Sequence, residues 1–366
     1  MIRTEEMLLN VGPQHPSTHG VFRLVVKIDG EIITEAKPVI GYLHRGTEKL
    51  AENLQYTQII PYTDRMDYVS AMTTNYVLCH AVETMMDLEI PERAEYLRVI
   101  AMELSRTASH LVWWGTFLLD IGAVSPFLFA FRDREMILDL LNELSGARLT
   151  FNYMRVGGVK WDAPDGWIQK VKEYVPYLRE QMVGYHELVT GNEIFMNRVK
   201  GVGKYTAEDA INYSLTGAML RCTGINYDVR KDEPYSIYDR FQFEPSVQQG
   251  GDAWARYHVR LGDIENSLKI IEQACEQFPE KGEILAKVPK IIKAPKGETF
   301  VKIESPRGEV GCYISSDGKK EPYRLKFRRP SFYNLQILSK LLKGENMANL
   351  VTILGSFDII LGEVDG

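Results

Sequence analysis

The chain has few cysteines and none of them are paired in sequence. Among 366 residues there are four, Cys79, Cys222, Cys275 and Cys312, with no C-x-x-C. Scattered thiols exclude a sequence-evident zinc or iron–sulfur site, and the lack of a disulfide framework points to a reducing compartment. No P-loop, no G-x-G-x-x-G after a strand, no G-x-S-x-G and no H-E-x-x-H is present. By motif, this excludes a nucleotide site and the common hydrolases. No basic face is concentrated anywhere, since 43 Lys and Arg are spread along the chain against 49 Asp and Glu, for a net charge of −6. A nucleic-acid partner is therefore not expected. The opening MIRTEEMLLN lacks a basic stretch followed by an apolar one, so no secretory signal is expected.

An unbroken hydrophobic span is also missing. Residues 111–131 read LVWWGTFLLDIGAVSPFLFAF, near the ~20 residues that cross a bilayer. Asp120 interrupts the run, Gly122 follows it, and Ser125-Pro126 breaks a helix. The segment reads as two buried helices meeting at a bend. A buried carboxylate there needs a partner.

What remains is ordinary globular material, 45% hydrophobic and 25% charged, enough for a sizeable core. Residues 21–39 carry two β-prone runs around Asp29-Gly30, a hairpin signal. Three- and four-residue apolar spacing predicts helices over 63–87, from Pro91 through Leu111, and over 124–147, 165–185 and 263–277. Residues 280–330 are rich in Lys, Pro and Gly, with turn signals at Ser305-Pro306-Arg307-Gly308 and Asp317-Gly318. They predict a short β-excursion on the surface. Helices over 331–343 and 346–355 lead to a tail, FDIILGEVDG, whose apolar residues predict docking into the core. The expected fold is α+β, mainly α. Residues 1–62 form a loop and β-hairpin region, 63–280 a helical core, and 281–366 the β-excursion, terminal helices and docked tail.

Five constellations could carry chemistry. In GPQHPSTHG, His15 and His19 lie in a loop constrained by prolines and glycines. An imidazole there could donate a proton near neutral pH, or merely scaffold the loop. Asp64, Arg65, Asp67 and Tyr68 cluster at the predicted start of a helix, where acids serve equally well as caps. A buried Tyr68 hydroxyl could meet a ligand carbonyl. Arg45 and Glu48, beside His44, read as a plain surface pair. Glu103, Arg106 and His110 share one helix face, and the first two read as an ordinary intrahelical pair. The acids Asp358, Glu363 and Asp365 mix with apolar residues in the tail. None of these alone names a reaction.

Taken in order, however, they lie within longer motifs. These include GPQHPSTHG at 12–20, GYLHRGTEK at 41–49, DRMDYVS at 64–70, LRVIAMELSRTASHL at 97–111, FLLDIGAVSP at 117–126, GARLTFNYMRVGG at 146–158, RYHVRLGDIENS at 256–267, IESPRGEVGCY at 303–313 and SFDIILGEVD at 356–365. Across nearly the whole chain this resembles the D, or 49 kDa, subunit family of complex I, itself similar to the large subunit of nickel–iron hydrogenases. The resemblance implies a hydrogenase-like helical core with an emptied metal site. Where the hydrogenases hold metal with two C-x-x-C pairs, this chain has Asp67 and Ser70, and Ile360 and Glu363. Nickel–iron chemistry requires soft thiolates, so no metal is expected here.

In that family the emptied site is the quinone cavity. By motif, His19 and Tyr68 resemble the pair that hydrogen-bonds the quinone carbonyls, and Asp120 the carboxylate that partners His19. His15 belongs to the same loop. His44, Arg45 and Arg65 resemble residues facing an iron–sulfur cluster in a neighbouring subunit. The resemblance further implies reduction of quinone coupled to proton translocation. It implies a peripheral position on the cytoplasmic face of the cell membrane, and cluster and flavin held by other subunits. The partners implied are the iron–sulfur subunit, the 30 kDa-type subunit and the membrane subunit at the quinone entrance. Two departures stand out. Thr150 lies where the family often has a histidine, in G-A-R-x-H, which predicts a low, weakly pH-dependent cluster potential suited to menaquinone. Gly366 replaces a common arginine. Two other readings remain. A hydrogenase-class subunit is opposed by the missing cysteines. A scaffold without a site is opposed by the retention of His19, Tyr68 and Asp120.

Overall fold

A computed structural model describes residues 6–12, 14–15 and 20–366, with residues 14 and 15 described for their backbone alone. Strands β1 (Met7–Val11), β2 (Arg23–Asp29) and β3 (Ile32–Val39) form an antiparallel sheet in that order. Asp29 pairs with Ile32 around a turn in which Gly30 takes φ +63°, so the Asp-Gly signal is read correctly. Helices α1 (Tyr56–Thr63), α2 (Ala71–Met86), α3 (Glu92–Asp120), α4 (Val124–Ser145) and α5 (Trp167–Tyr185) follow, then α6 (Ala253–Glu276). A second antiparallel sheet comprises β4 (Gly297–Ser305), β5 (Gly308–Ser316) and β6 (Arg324–Arg328). Helices α7 (Met347–Gly355) and α8 (Leu361–Asp365) close the chain.

Helix α3 is the axle. Its first turn carries Glu92 and Glu95, which complement the helix dipole, and it runs without glycine as far as Gly115. Helices α2, α4, α6 and α7 all pack against it. Its middle is therefore buried all round, charged residues included. It stops where Gly122 turns left-handed at φ +101° and the Ala123 N–H donates to the Leu118 carbonyl at 2.8 Å. At Gly115 a Cβ would lie 3.1 Å from Ala130 Cβ and 3.3 Å from Phe127 Cα, so a glycine lets α3 and α4 cross closely. The larger hydrophobic core gathers α1 to α6 with the second sheet. The smaller one gathers the first sheet, residues 202–222 and the tail.

Four expectations need correction. The helix predicted from residue 63 begins only at Ala71, because the Asp67 carboxylate accepts the Ser70 N–H at 3.2 Å and is held by a distant arginine. Residues 64–70 are instead a turn between α1 and α2. Helix α6 starts ahead of the predicted residue 263, capped by Asp252, which accepts the Ala255 N–H at 2.8 Å. The β-excursion is not a surface appendage. Val310, Cys312 and Ile314 of β5 are fully buried, and the sheet lies on α2. The Lys- and Pro-rich approach over 281–291 is mostly exposed, as are residues 295–298 and the turn at 317–320. The bend at 121–123 is real, but the first turns of α4 leave Val124, Leu128 and Phe129 exposed. Among the described residues no helix is long and apolar enough to cross a membrane.

Candidate functional site

The β4–β5 turn is tight, with Ser305 paired to Gly308 across Pro306 and Arg307. Such a tip usually points into water. Here it is driven into the protein, and Arg307 is 2% exposed. A Cβ on Gly308 would lie 2.4 Å from Thr216 Oγ1 and 2.7 Å from the Thr216 carbonyl carbon, so only glycine lets the tip seat. Once seated, the guanidinium donates to Asp67 Oδ2 at 2.6 Å, to Ser109 Oγ at 3.0 Å and to Asp358 Oδ1 at 3.4 Å. A buried cation needs such partners. One arginine thus joins the 64–70 turn, α3 and the tail. Asp358 is held there in a left-handed conformation at φ +58°, a strained state for a non-glycine residue.

Tyr68 is half-buried beside this cluster. A Cβ on Gly362 would lie 3.2 Å from Tyr68 Cε1, and 2.7 and 2.9 Å from the Met66 and Arg65 carbonyls, so α8 is pressed onto the 65–68 backbone. Burial pushes the phenol up from its ordinary value, and neighbouring Asp67 adds to this while Arg307 opposes it. Burial also raises the Asp67 carboxyl against the pull of Arg307. On α8, Glu363 is fully buried, accepting from the Ser331 N–H at 3.0 Å and from the Ser331 hydroxyl. Burial, with Asp67 nearby, raises its carboxyl to about 7.

Asp120 closes α3 and is half-buried, less deeply than its apolar surroundings predict. It lies against the end of α7, where a Cβ on Gly355 would be 3.4 Å from Asp120 Oδ2 and 3.0 Å from Phe117 Cδ2. An apolar cleft of about 420 Å³ opens beside that helix end, with Leu118, Ile121, Val124 and Phe195 in its wall. His19 lies outside the described residues, as does the His15 side chain. The glycine that follows His19 is described. A Cβ on Gly20 would be 3.3 Å from Leu361 Cδ1, at the start of α8.

His44, Arg45 and Arg65 share one exposed face. The Asp365 carboxylate accepts the Gly41 and Leu43 N–H groups at 2.7 and 2.6 Å, and His44 Nδ1 lies 2.7 Å from the Asp365 carbonyl oxygen. Arg45 Nη2 donates to the Arg65 carbonyl at 3.1 Å. The expected Arg45–Glu48 pair does not form, because Glu48 turns to Arg324 at 3.3 Å. Thr150 is half-buried, two residues ahead of Asn152, whose N–H donates to Asp64 Oδ1 at 3.3 Å. Burial raises that carboxyl to about 6.

Along α3 lies a second charged cluster. The Glu103–Arg106 pair, at 3.2 Å, is fully buried and far from an ordinary surface pair. Glu103 also accepts from Arg230 at 3.1 Å, the Tyr238 hydroxyl at 2.6 Å and the Ser267 hydroxyl at 2.7 Å. Arg221 donates to Asp263 at 2.5 Å and to Glu304 at 3.4 Å.

Of the residues singled out in sequence, the structure brings Asp67 and Tyr68 together beside Arg307 and puts Asp120 at the end of α3; Arg307 itself reads, in sequence, as part of a surface turn. The available signal was the residue pattern Pro-Arg-Gly inside a β-branched strand pair, with acids left over elsewhere in the core.

Comparisons with known proteins show which family the chain belongs to. Residues 120–293 and 287–366 match the family described as respiratory-chain NADH dehydrogenase, 49 Kd subunit. Over 366 residues, 100% of both chains, the sequence is 82% identical to the D subunit of NADH-quinone oxidoreductase from Bacillus mycoides and to the same subunit from Bacillus anthracis. It is 79% identical, again over 100% of both chains, to that from Bacillus cytotoxicus. With identity over the whole length, and with distant motifs meeting around one buried arginine, the chain belongs to the 49 kDa (D) family of NADH-quinone oxidoreductase subunits, oxidoreductase components that work within complex I.

Proposed function

We propose that this chain provides the quinone head-group site of its complex, with Tyr68 and His19 hydrogen-bonding the two carbonyl oxygens. The observation that carries this is Tyr68 itself, a half-buried phenol set between a buried Asp67–Arg307 pair and the Gly362 backbone. Quinone reduction takes two electrons and two protons, and a phenol and an imidazole are suitable donors. Asp120 orients His19 and stabilises its charged form, as carboxylates do for histidines elsewhere. The apolar cleft beside α3 suits an isoprenoid tail. The meeting of 65–68 with Gly362 supports reading the helical core as hydrogenase-like, with Asp67, Ser70, Ile360 and Glu363 in place of thiolates.

Electrons arrive from an iron–sulfur cluster of a neighbouring subunit, on the face that carries His44, Arg45 and Arg65. Exposed arginines there raise the cluster potential. The 30 kDa-type subunit and the membrane subunit at the quinone entrance complete the surroundings, at the cytoplasmic face of the cell membrane, and reduction drives proton translocation. Thr150 takes up no proton when the cluster is reduced, so its potential is low and nearly independent of pH, matched to menaquinone. A redox titration of the assembled enzyme showing a steep pH dependence overturns that point.

The site itself is tested in membranes carrying Tyr68→Phe and, separately, His19→Ala. Loss of quinone reduction, on the order of a hundredfold, with assembly and cluster signals intact, is the expected result. Wild-type activity in both variants moves the quinone site elsewhere.

A further inference from the structure

We propose that the lysine strip over 287–296 docks an extended, acid-bearing segment of a neighbouring subunit of the complex, with Lys287, Lys290, Lys293 and Lys296 as its anchors. This rests on the quinone reading at one point alone, the direction in which the bilayer lies.

The strip stands out first by its charge. Residues 284–297 read ILAKVPKIIKAPKG, four lysines and no acid in a chain of net charge −6. All four lysines are exposed, and among the described residues none has a carboxylate partner. Elsewhere on the surface, Lys27, Lys49, Lys170 and Lys340 each pair with a carboxylate of this chain. The four fall at every third residue, between α6 and β4, where no helix forms. In an extended chain rising about 3.1–3.3 Å per residue they stand about 9–10 Å apart, in a row about 30 Å long. A row of that shape matches another extended chain that carries carboxylates at a similar spacing.

It stands out next by how firmly it is seated. The Ala286 N–H donates to the Gly157 carbonyl at 2.8 Å, and the Val159 N–H donates to the Ile284 carbonyl at 3.0 Å. The Ser316 hydroxyl donates to the Ala294 carbonyl at 2.9 Å. A Cβ on Gly158 would lie 2.1 Å from the Ile284 carbonyl oxygen, and one on Gly157 would lie 2.5 Å from Val288 Cγ2, so two glycines let the strip lie flat on the protein. Pro289 and Pro295 fix their own φ and keep Val288 and Ala294 extended. Ile292 and Ala294 are buried between the lysines, while Leu285 and Ile291 are left exposed among them. A run of charge that only solvates the surface has no need of such seating. A backbone already held in place loses little freedom when a partner binds.

Lysines mixed with exposed apolar residues also suit an anionic lipid surface. The place of the strip in the fold argues for protein instead. Its approach lies against the first turn of α3, where Arg93 donates to the Pro279 carbonyl and a Cβ on Gly282 would lie 3.1 Å from Arg93 Cβ. The cleft that suits the quinone tail opens at the other end of that helix, beside Leu118 and Ile121. Helix α3 has 29 residues, which is about 43 Å at 1.5 Å per residue. The strip then runs into β4 at Gly297, a full strand away from the Ser305 end that reaches the Tyr68 site. A quinone tail lies in the bilayer, so the strip is on the side away from lipid, where the neighbours are other subunits.

The test uses the assembled complex, in membranes and again in detergent. A carbodiimide that joins an amine directly to a carboxylate should link Lys287, Lys290, Lys293 and Lys296 to aspartates or glutamates in one stretch of another subunit, as read by peptide mass mapping. Acetylation of the four amines should be slowed about fivefold or more at about 0.1 M NaCl, and the slowing should vanish at about 1 M, where the Debye length falls to about 3 Å. Changing all four to Glu should let the linked subunit dissociate at lower salt than in the wild type, and changing all four to Arg should not. Acetylation as fast as in the denatured chain, cross-links confined to this chain or to a second copy of it, or unchanged salt resistance in the four-Glu variant each overturns the docking. Slowing seen only with anionic lipid present, and lost in detergent, gives the strip to the membrane and overturns both the docking and the direction assigned to the bilayer. Normal quinone reduction in Tyr68→Phe, with the cross-links in place, fells the quinone reading alone.

Discussion

Arg307 shows how much one side chain can organise. It touches three chain segments from a position 2% exposed. Arg307→Met would leave Asp67 buried without its cation, and Asp358 with Arg260 at 3.8 Å, which costs about 3–5 kcal/mol. Thermal unfolding of the complex, followed through the cluster signal, should show this as a lowered midpoint. Gly362→Ala is a milder probe of the same place. Its methyl would sit 2.7 Å from the Met66 carbonyl, so α8 must withdraw and Tyr68 must shift. We expect a raised quinone KM with assembly retained, measured in membranes. Tyr68 and Asp67 were legible in sequence because they lie within one short motif. Arg307 was not, because Ser-Pro-Arg-Gly is chemically a surface turn, and only the glycine-sized gap at Thr216 lets it go inside.

Among elements, the long helices were legible and their ends were not. Periodicity located α3, α4 and α5, whereas α1 and the true start of α2 were hidden. Pro61 lies inside α1, and the Asp67 contacts that interrupt the pattern come from a residue 240 positions away. The clasp between α8 and the 41–44 loop was likewise invisible, since both partners read as ends or loops. It is testable by amide exchange. In Asp365→Ala the Gly41 and Leu43 amides lose their carboxylate acceptor. Their exchange in the assembled complex should quicken, while that of the α3 amides should not. Unchanged exchange at Gly41 and Leu43 would mean that the loop is held by something else.

For the whole molecule, the buried acids set a pH dependence whose sign is fixed. Glu363 binds its proton more tightly in the folded state, near 7 against an ordinary value near 4.5. The folded state therefore holds more protons across that interval, and this group's contribution is present below 4.5 and lost as pH rises through 7. Glu363→Gln removes that loss. Its stability relative to wild type should rise from pH 4.5 to 7 and then level off, as read by thermal unfolding of the complex at several pH values. A difference that does not change with pH would mean the carboxyl titrates near its ordinary value.

The seating of the hairpin tip has a consequence for how the protein is made. Arg307 reaches back 240 residues to Asp67, and Asp365 reaches back 322 to Leu43. On a ribosome adding about 5–20 residues per second, Asp67 is outside and waiting for many seconds before its cation exists. During that interval the nascent chain carries acids destined for the interior with nothing to neutralise them, and apolar helix faces with no sheet to cover them. Contacts this remote in sequence make for slow closure. The chain is thus one whose birth calls for a chaperone or a partner protein to shield its half-made centre until the last strands arrive.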